Sequence, residues 1–185
     1  MTRFSTKTAR PTRRAESGGR LVNVLEVRLS AVQVDLQSNS PVILLQEKDG
    51  DRSLPIFIGA PEATAIAFAL QHVAVPRPMT HDLMKELLGA LGAQVVRVVV
   101  TEVQHDTYYA EIHLEVGGRS VRVSSRPSDA IALATRTGSP LFVEEELMDL
   151  AGVVIETEEE PEESEELVDR FRAFLDDVRP EDFSS

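Results

Sequence analysis

Three short blocks hold the residue types that could bind phosphate or move protons. They are Leu54-Pro55-Ile56-Phe57-Ile58-Gly59-Ala60-Pro61-Glu62-Ala63, Arg77-Pro78-Met79-Thr80-His81-Asp82-Leu83 and Arg126-Pro127-Ser128-Asp129-Ala130-Ile131-Ala132-Leu133-Ala134. The last sets a cation, a rigid helix start and a carboxylate within four residues, the composition of an anion or metal site. Each block puts an acid in the first turn of an expected helix: Glu62 after Pro61, Asp82 two after Thr80, Asp129 two after Pro127. Taken singly, each acid reads first as a complement to the helix dipole, with Thr80 as an N-cap and proline at the first helical position. Taken together they allow a second reading. If the helix starts converge on one cleft, their N–H groups bind anions and their carboxylates hold a hard cation.

The elements around these blocks follow from periodicity. Val42 to Leu45 is an apolar strand, Asp49-Gly50 a hairpin turn, Leu54 to Ile58 a returning strand, and Pro61 opens an Ala-rich helix running to about Gln71. The same grammar returns in the second half. Tyr108, Ala110, Ile112, Leu114 and Val116 alternate with Tyr109, Glu111, His113 and Glu115; Gly117-Gly118 turns the chain; Val121 and Val123 come back; Pro127 opens a helix ending near Gly138. This is read as a degenerate duplication of a hairpin-then-helix unit. Val24 to Val34 forms a first strand whose phase breaks at Ala31-Val32, the mark of a bulge. Leu83, Met84, Leu87, Leu88 and Leu91 make one helical stripe ending at Gly92, and Val95 to Val103 is a β-branched strand. Pro140 to Val143 is a short strand, Glu144 to Leu150 a short helix and Val153 to Ile155 a closing strand. The expected class is α+β, a mixed β-sheet flanked by helices and built from two degenerate hairpin-helix repeats.

A chain of 185 residues, 42% of them hydrophobic, supports one sizeable core, placed at residues 21–155. Cysteine is absent, which removes disulfide, thiolate and Cys-type zinc chemistry. No apolar run approaches the roughly 18 residues of a membrane span, and the amino terminus lacks the apolar centre of a secretory signal, so the expectation is cytoplasmic and away from membranes. The net charge of -12 is unevenly spread. Residues 1–20 carry six Arg/Lys against one acid and read as a disordered basic tail; residues 144–185 carry three bases and seventeen acids. The run Glu156 to Glu166 reads as an extended acidic linker. Leu167, Val168, Phe171, Phe174, Leu175 and Val178 then recur at helical spacing, with Ser164 as N-cap and Pro180 as stop, a helix that docks on the chain's own core or on a second subunit. There is no Gly-rich phosphate loop with a lysine, no Gly-x-Ser-x-Gly elbow and no His-Glu-x-x-His pair.

The three blocks, in their order and spacing, resemble the bifunctional nuclease domain family, whose name comes from cleavage of both DNA and RNA. The resemblance spans roughly Glu26 to Val154 and implies a nuclease of low sequence specificity. It implies Glu62, Asp82 and Asp129 as ligands of Mg²⁺ or Mn²⁺, which would activate water and neutralise the phosphate. His81 would then be the general acid or base, Arg77 and Arg126 the phosphate clamps, and Ser128 a donor to phosphate. One departure is visible: the family commonly has an acid two residues before the Arg-Pro-Ser-Asp block, where this chain has Ser124. Tyr108 and Tyr109 match an aromatic position of the family, with packing favoured over base stacking in so aromatic-poor a chain.

Two readings follow from this sequence. One is the metal-assisted nuclease with DNA or RNA as partner. The other is a non-catalytic regulatory or scaffolding module of the same fold, its acidic carboxyl segment binding a protein partner; a homo-oligomer is compatible with both. Acidity opposes the first reading, because affinity for nucleic acid rests on cations neutralising phosphates. If the acidic end lies over a basic strip and competes with substrate, deleting everything after Ile155 should strengthen binding to single-stranded DNA. Unchanged affinity at matched salt removes that idea.

Overall fold

The computed structural model describes residues 13–17 and 20–154. Within them the strands are β1 (Arg13–Ser17), β2 (Arg20–Asp35), β3 (Ser40–Glu47), β4 (Arg52–Phe57), β5 (Ala93–Gln104), β6 (Thr107–Val116), β7 (Arg119–Ser125), β8 (Leu141–Glu144) and β9 (Val153–Val154). The helices are α1 (Ala60–Leu70), α2 (Thr80–Ala90), α3 (Pro127–Thr137) and α4 (Glu145–Ala151). The strands make one mixed sheet in the order β7-β6-β5-β8-β2-β3-β4-β9, with β1 added to β2. All pairings are antiparallel except β5 with β8. Since β8 runs against β2 and along β5, the two meanders β2-β3-β4 and β5-β6-β7 run in opposite senses on either side of it. Each meander leads into an Ala-rich helix, α1 or α3, and these two helices touch one another.

Local chemistry accounts for most turns. Gly117 and Gly118 both have positive φ, 56° and 76°, which suits the two-residue connection between Val116 and Arg119. The phase break in β2 is a register shift between Leu29 and Ala31. Asp49-Gly50 lies in the expected hairpin, within the four-residue connection from Lys48 to Asp51 that joins β3 to β4. Part of the segment read as a basic tail differs from expectation, since Arg13–Ser17 pairs antiparallel with Arg20 to Val24 and lengthens the sheet. A short strand needs little apolar side-chain burial of its own when a long neighbour supplies a hydrogen-bonding edge. Residues 1–12, the acidic run and the expected Leu167 to Val178 helix lie outside the described residues.

The main core fills the space between the sheet and the helices. Leu25, Ile43, Leu45, Leu54, Ile56, Val98, Val100, Ile112 and Val143 from the strands meet Ile66, Ile131, Leu133, Leu147 and Met148 from the helices. α3 is the central piece: Ala130 through Ala134 are all 2% exposed or less. Its small residues let neighbouring helices approach closely, which brings the starts of α1 and α2 to the start of α3. The helix α2 departs from its expected single stripe. Met84 and Leu88 pack on the core, while Leu83, Leu87 and Leu91 face outward at 47%, 54% and 74% exposure. No helix among the described residues is long and apolar enough to cross a membrane. Leu133→Ala should cost about 3 kcal/mol in a urea titration, as expected for a buried leucine that leaves a cavity; a loss below about 1 kcal/mol would mean α3 is not the keystone of this core.

Candidate functional site

Each block puts its acid in the first turn of a helix, and two of the three acids, Glu62 and Asp129, meet at one guanidinium. Pro61 sits in the first turn of α1 and Pro127 opens α3, with N-caps Gly59 and Arg126 in extended conformation. For α2 the N-cap is Met79, not Thr80, which is already the first helical residue. Asp82 caps that helix: its Oδ2 accepts the Met79 backbone N–H at 3.1 Å. Glu62 and Asp129 behave differently. Their carboxylates meet the guanidinium of Arg126, which donates from Nε to Asp129 Oδ2 at 2.7 Å and from Nη2 to Asp129 Oδ1 at 3.1 Å and Glu62 Oε1 at 2.8 Å. His81 closes the group, with Nε2 3.1 Å from Asp129 Oδ1. Residues from all three blocks, separated by up to 67 positions along the chain from Glu62 to Asp129, thus share one hydrogen-bonded cluster.

A second ion pair braces it. Arg136, in the last turn of α3, donates from Nε to Asp82 Oδ1 at 2.5 Å and from Nη1 to the Ala132 carbonyl at 3.0 Å. Arg136 was not singled out in the sequence. It lies seven positions after Asp129, two helical turns, so the two share a face of α3, and helical side chains lean back toward the N-terminus where Asp82 waits. That spacing was the available signal. Burial grades the cluster: the side chains of His81 and Arg136 are 8% and 6% exposed, Glu62 16%, and Arg126 65%. The sole position where a side chain would collide with the cluster from below is Gly59 among the described glycines, because a Cβ there would fall 2.3 Å from Glu62 Oε2.

Charge partners set the protonation states. Burial pushes the Asp129 carboxyl up, but hydrogen bonds from Arg126 and His81 outweigh it and hold the group below the usual aspartate range. For Asp82 burial again raises, and Arg136 together with the Met79 N–H wins in the other direction. The hydrogen bonds from Arg126 to Asp129 and then to Glu62 raise the guanidinium further above its ordinary value, so it is a permanent cation.

Other expected site residues fall outside this network. Arg77 is exposed in the connection between α1 and α2, two residues before the N-cap of α2, with no side-chain partner among the described residues. Ser128 is 6% exposed in the first turn of α3 and makes no side-chain hydrogen bond among the described residues. Ser124 pairs with Glu111, and Ser125 with the core residue Ala110, so Ser124 points to the sheet face away from the helices. An acid at position 124 would therefore not join the cluster. Tyr108 packs against the core and Tyr109 is 38% exposed.

The residues do not fit the implied Mg²⁺ or Mn²⁺ as a three-carboxylate cage. Among the described residues no three carboxylate or imidazole side chains are disposed to hold one ion. Both oxygens of Asp82 and of Asp129 already accept hydrogen bonds from cations or amides. The chemistry the cluster does offer is an imidazole oriented by a carboxylate, beside a guanidinium whose Nη1 edge has no partner among the described residues.

Comparison with known proteins bears on this geometry. The bifunctional nuclease domain model matches residues 43–156, which contain every member of the cluster. An uncharacterized protein of Mycobacterium tuberculosis is 43% identical over 164 residues, covering 86% of this chain and 98% of that protein. Bifunctional nuclease 1 of Oryza sativa subsp. indica is 30% identical over 151 residues, 80% of this chain and 45% of that protein. Bifunctional nuclease 1 of Arabidopsis thaliana is 36% identical over 107 residues, 56% of this chain and 33% of that protein. The matches thus span less than half the length of either plant protein.

The Asp82 shift has a sign that can be measured. Its folded-state value is lowered from 3.8, so its stabilisation is complete above the unfolded value and disappears as pH falls through the lowered one. Asp82→Asn should cost about 2 kcal/mol at neutral pH by leaving the buried Arg136 charge without its partner, with the gap to native closing as pH falls below the usual aspartate range. A gap that stays constant with pH would show that the ion pair is not its source.

Proposed function

Because the chain belongs to the bifunctional nuclease domain family, we propose that it hydrolyses phosphodiester bonds of DNA and RNA at the cluster of His81, Asp129, Arg126 and Glu62. The observation that carries this reading is the contact of His81 Nε2 with Asp129 Oδ1, on a carboxylate already clamped by Arg126. An ionised carboxylate can only accept, so the His81 Nε2 position carries the proton and the lone pair lies on Nδ1. Nδ1 is then the base that takes a proton from the attacking water, and Asp129 stabilises the imidazolium that results, as a carboxylate does beside a catalytic histidine.

The Nη1 edge of Arg126 and the exposed Arg77 supply donors for the non-bridging phosphate oxygens. Guanidinium geometry suits that contact, and the N-termini of α2 and α3 favour an anion nearby. Water forms the new bond to phosphorus, the bond to the leaving ribose or deoxyribose oxygen breaks, and that oxygen takes its proton from solvent. Reading the backbone through charge and a bare phosphate accounts for low sequence preference. No step here passes through a metal ion, and cleavage in chelator, in Mg²⁺ and in Mn²⁺ is part of the test.

A second reading is favoured by the charges: three carboxylates stand against two guanidinium groups in the cluster, on a chain of net -12. There the cluster is a clamp joining three helix starts and the domain is a protein-binding module. Labelled single-stranded DNA and RNA should be cut by the native chain, and His81→Gln and Asp129→Asn, purified identically, should each lose roughly 10²- to 10⁴-fold in rate. Full-strength cleavage by both variants would assign the activity to a contaminant and leave the second reading.

A further inference from the structure

We propose that the guanidinium of Arg126 occupies the place between Glu62 and Asp129 that a divalent cation would otherwise take, so that the native site binds Mg²⁺ or Mn²⁺ only weakly. The inference concerns the same cluster as the nuclease reading but not its reaction, and it is tested by binding, so either can fail while the other stands.

The two carboxylates approach from different helices, α1 and α3, and present three oxygens toward one point: Glu62 Oε1, Asp129 Oδ1 and Asp129 Oδ2. Such a pair of like charges, part-buried, requires a cation. A hard divalent ion would meet that need with carboxylate oxygens and water. Here a side chain meets it. Arg126 is the N-cap residue of α3, and its extended backbone aims the side chain across the start of its own helix toward Glu62. Three donors reach three acceptors at 2.7, 2.8 and 3.1 Å.

An incoming ion would have to break these three charge-assisted bonds and send the guanidinium into solvent. Deprotonation offers no easier exit, because arginine stays charged at any ordinary pH. Nor does the remaining surrounding lend ligands. Glu62 Oε2 lies over Gly59, so that carboxylate is seated where the backbone makes room for it. His81 spends Nε2 on Asp129, and both Asp82 oxygens are taken by Arg136 and Met79. A tethered cation, moreover, competes at a local concentration that free ions at ordinary levels do not match.

Mn²⁺ alone, followed by water proton relaxation on the full chain, tests this. Arg126→Gln removes the guanidinium and should tighten Mn²⁺ binding by at least about 10-fold, since affinity for hard cations follows the uncompensated ligand charge. Adding Asp129→Asn to that variant should abolish the gain, which separates the cluster from Mn²⁺ held elsewhere on so acidic a chain. In the otherwise native chain, Glu62→Gln should leave Mn²⁺ affinity within about twofold, because no ion depends on that carboxylate. Native binding lost in Glu62→Gln, or an Arg126→Gln variant that binds no tighter than native, overturns the proposal. Should Arg126→Gln fail to fold, the Glu62→Gln arm decides alone.

Discussion

Two carboxylates directed at the same small volume repel one another, and at the starts of α1 and α3 Arg126 stands between Glu62 and Asp129 and offsets that repulsion. This contact ties the two halves of the sheet together at the level of the helices, since α1 follows the first meander and α3 the second. The rest of the site hangs from it. Asp129 is ionised and fixed in orientation because of Arg126, and His81 is fixed because of Asp129. A surface ion pair contributes little to stability in general. Its importance here is geometric, since one planar fork meeting two carboxylates defines their separation and angle together.

The sheet makes that geometry available. With β8 between β2 and β5, the meanders are oppositely directed and their trailing helices emerge side by side. Ala63, Ala65 and Ala67 in α1 and Ala130, Ala132 and Ala134 in α3 are buried to within 4%, leaving little bulk to hold the helices apart. Larger residues at these positions would preserve helix propensity and still separate Glu62 from Arg126. Helix packing, and not propensity, therefore places the chemistry.

Features decided within a few residues were legible in the sequence. The Gly117-Gly118 turn, the bulge near Ala31, the prolines at two helix starts and the acids just after them all rest on local backbone preference, and each is found where its chemistry calls for it. The α+β class and mixed sheet were readable for the same reason. What was not readable depended on which elements meet. The Asp82–Arg136 pair needs α2 laid against α3, and the split of the apolar residues of α2 into inward Met84 and Leu88 and outward Leu83, Leu87 and Leu91 needs the width of the surface beneath them. The partners of Arg126 are a further case. Sequence marks it as a cation beside an anion site, but only tertiary contact shows that its nearest anions are the protein's own carboxylates.

The buried Arg136 also bears on how far α2 can move. Asp82 and His81 are neighbours at the start of α2, so any swing that lifts α2 away from α3 tears the imidazole from Asp129 and strands a guanidinium that is 6% exposed. The latch makes α2 a poor hinge. Whatever approaches the cluster meets a rigid rim instead of passing beneath a moving flap, and width of entry is set by helix packing.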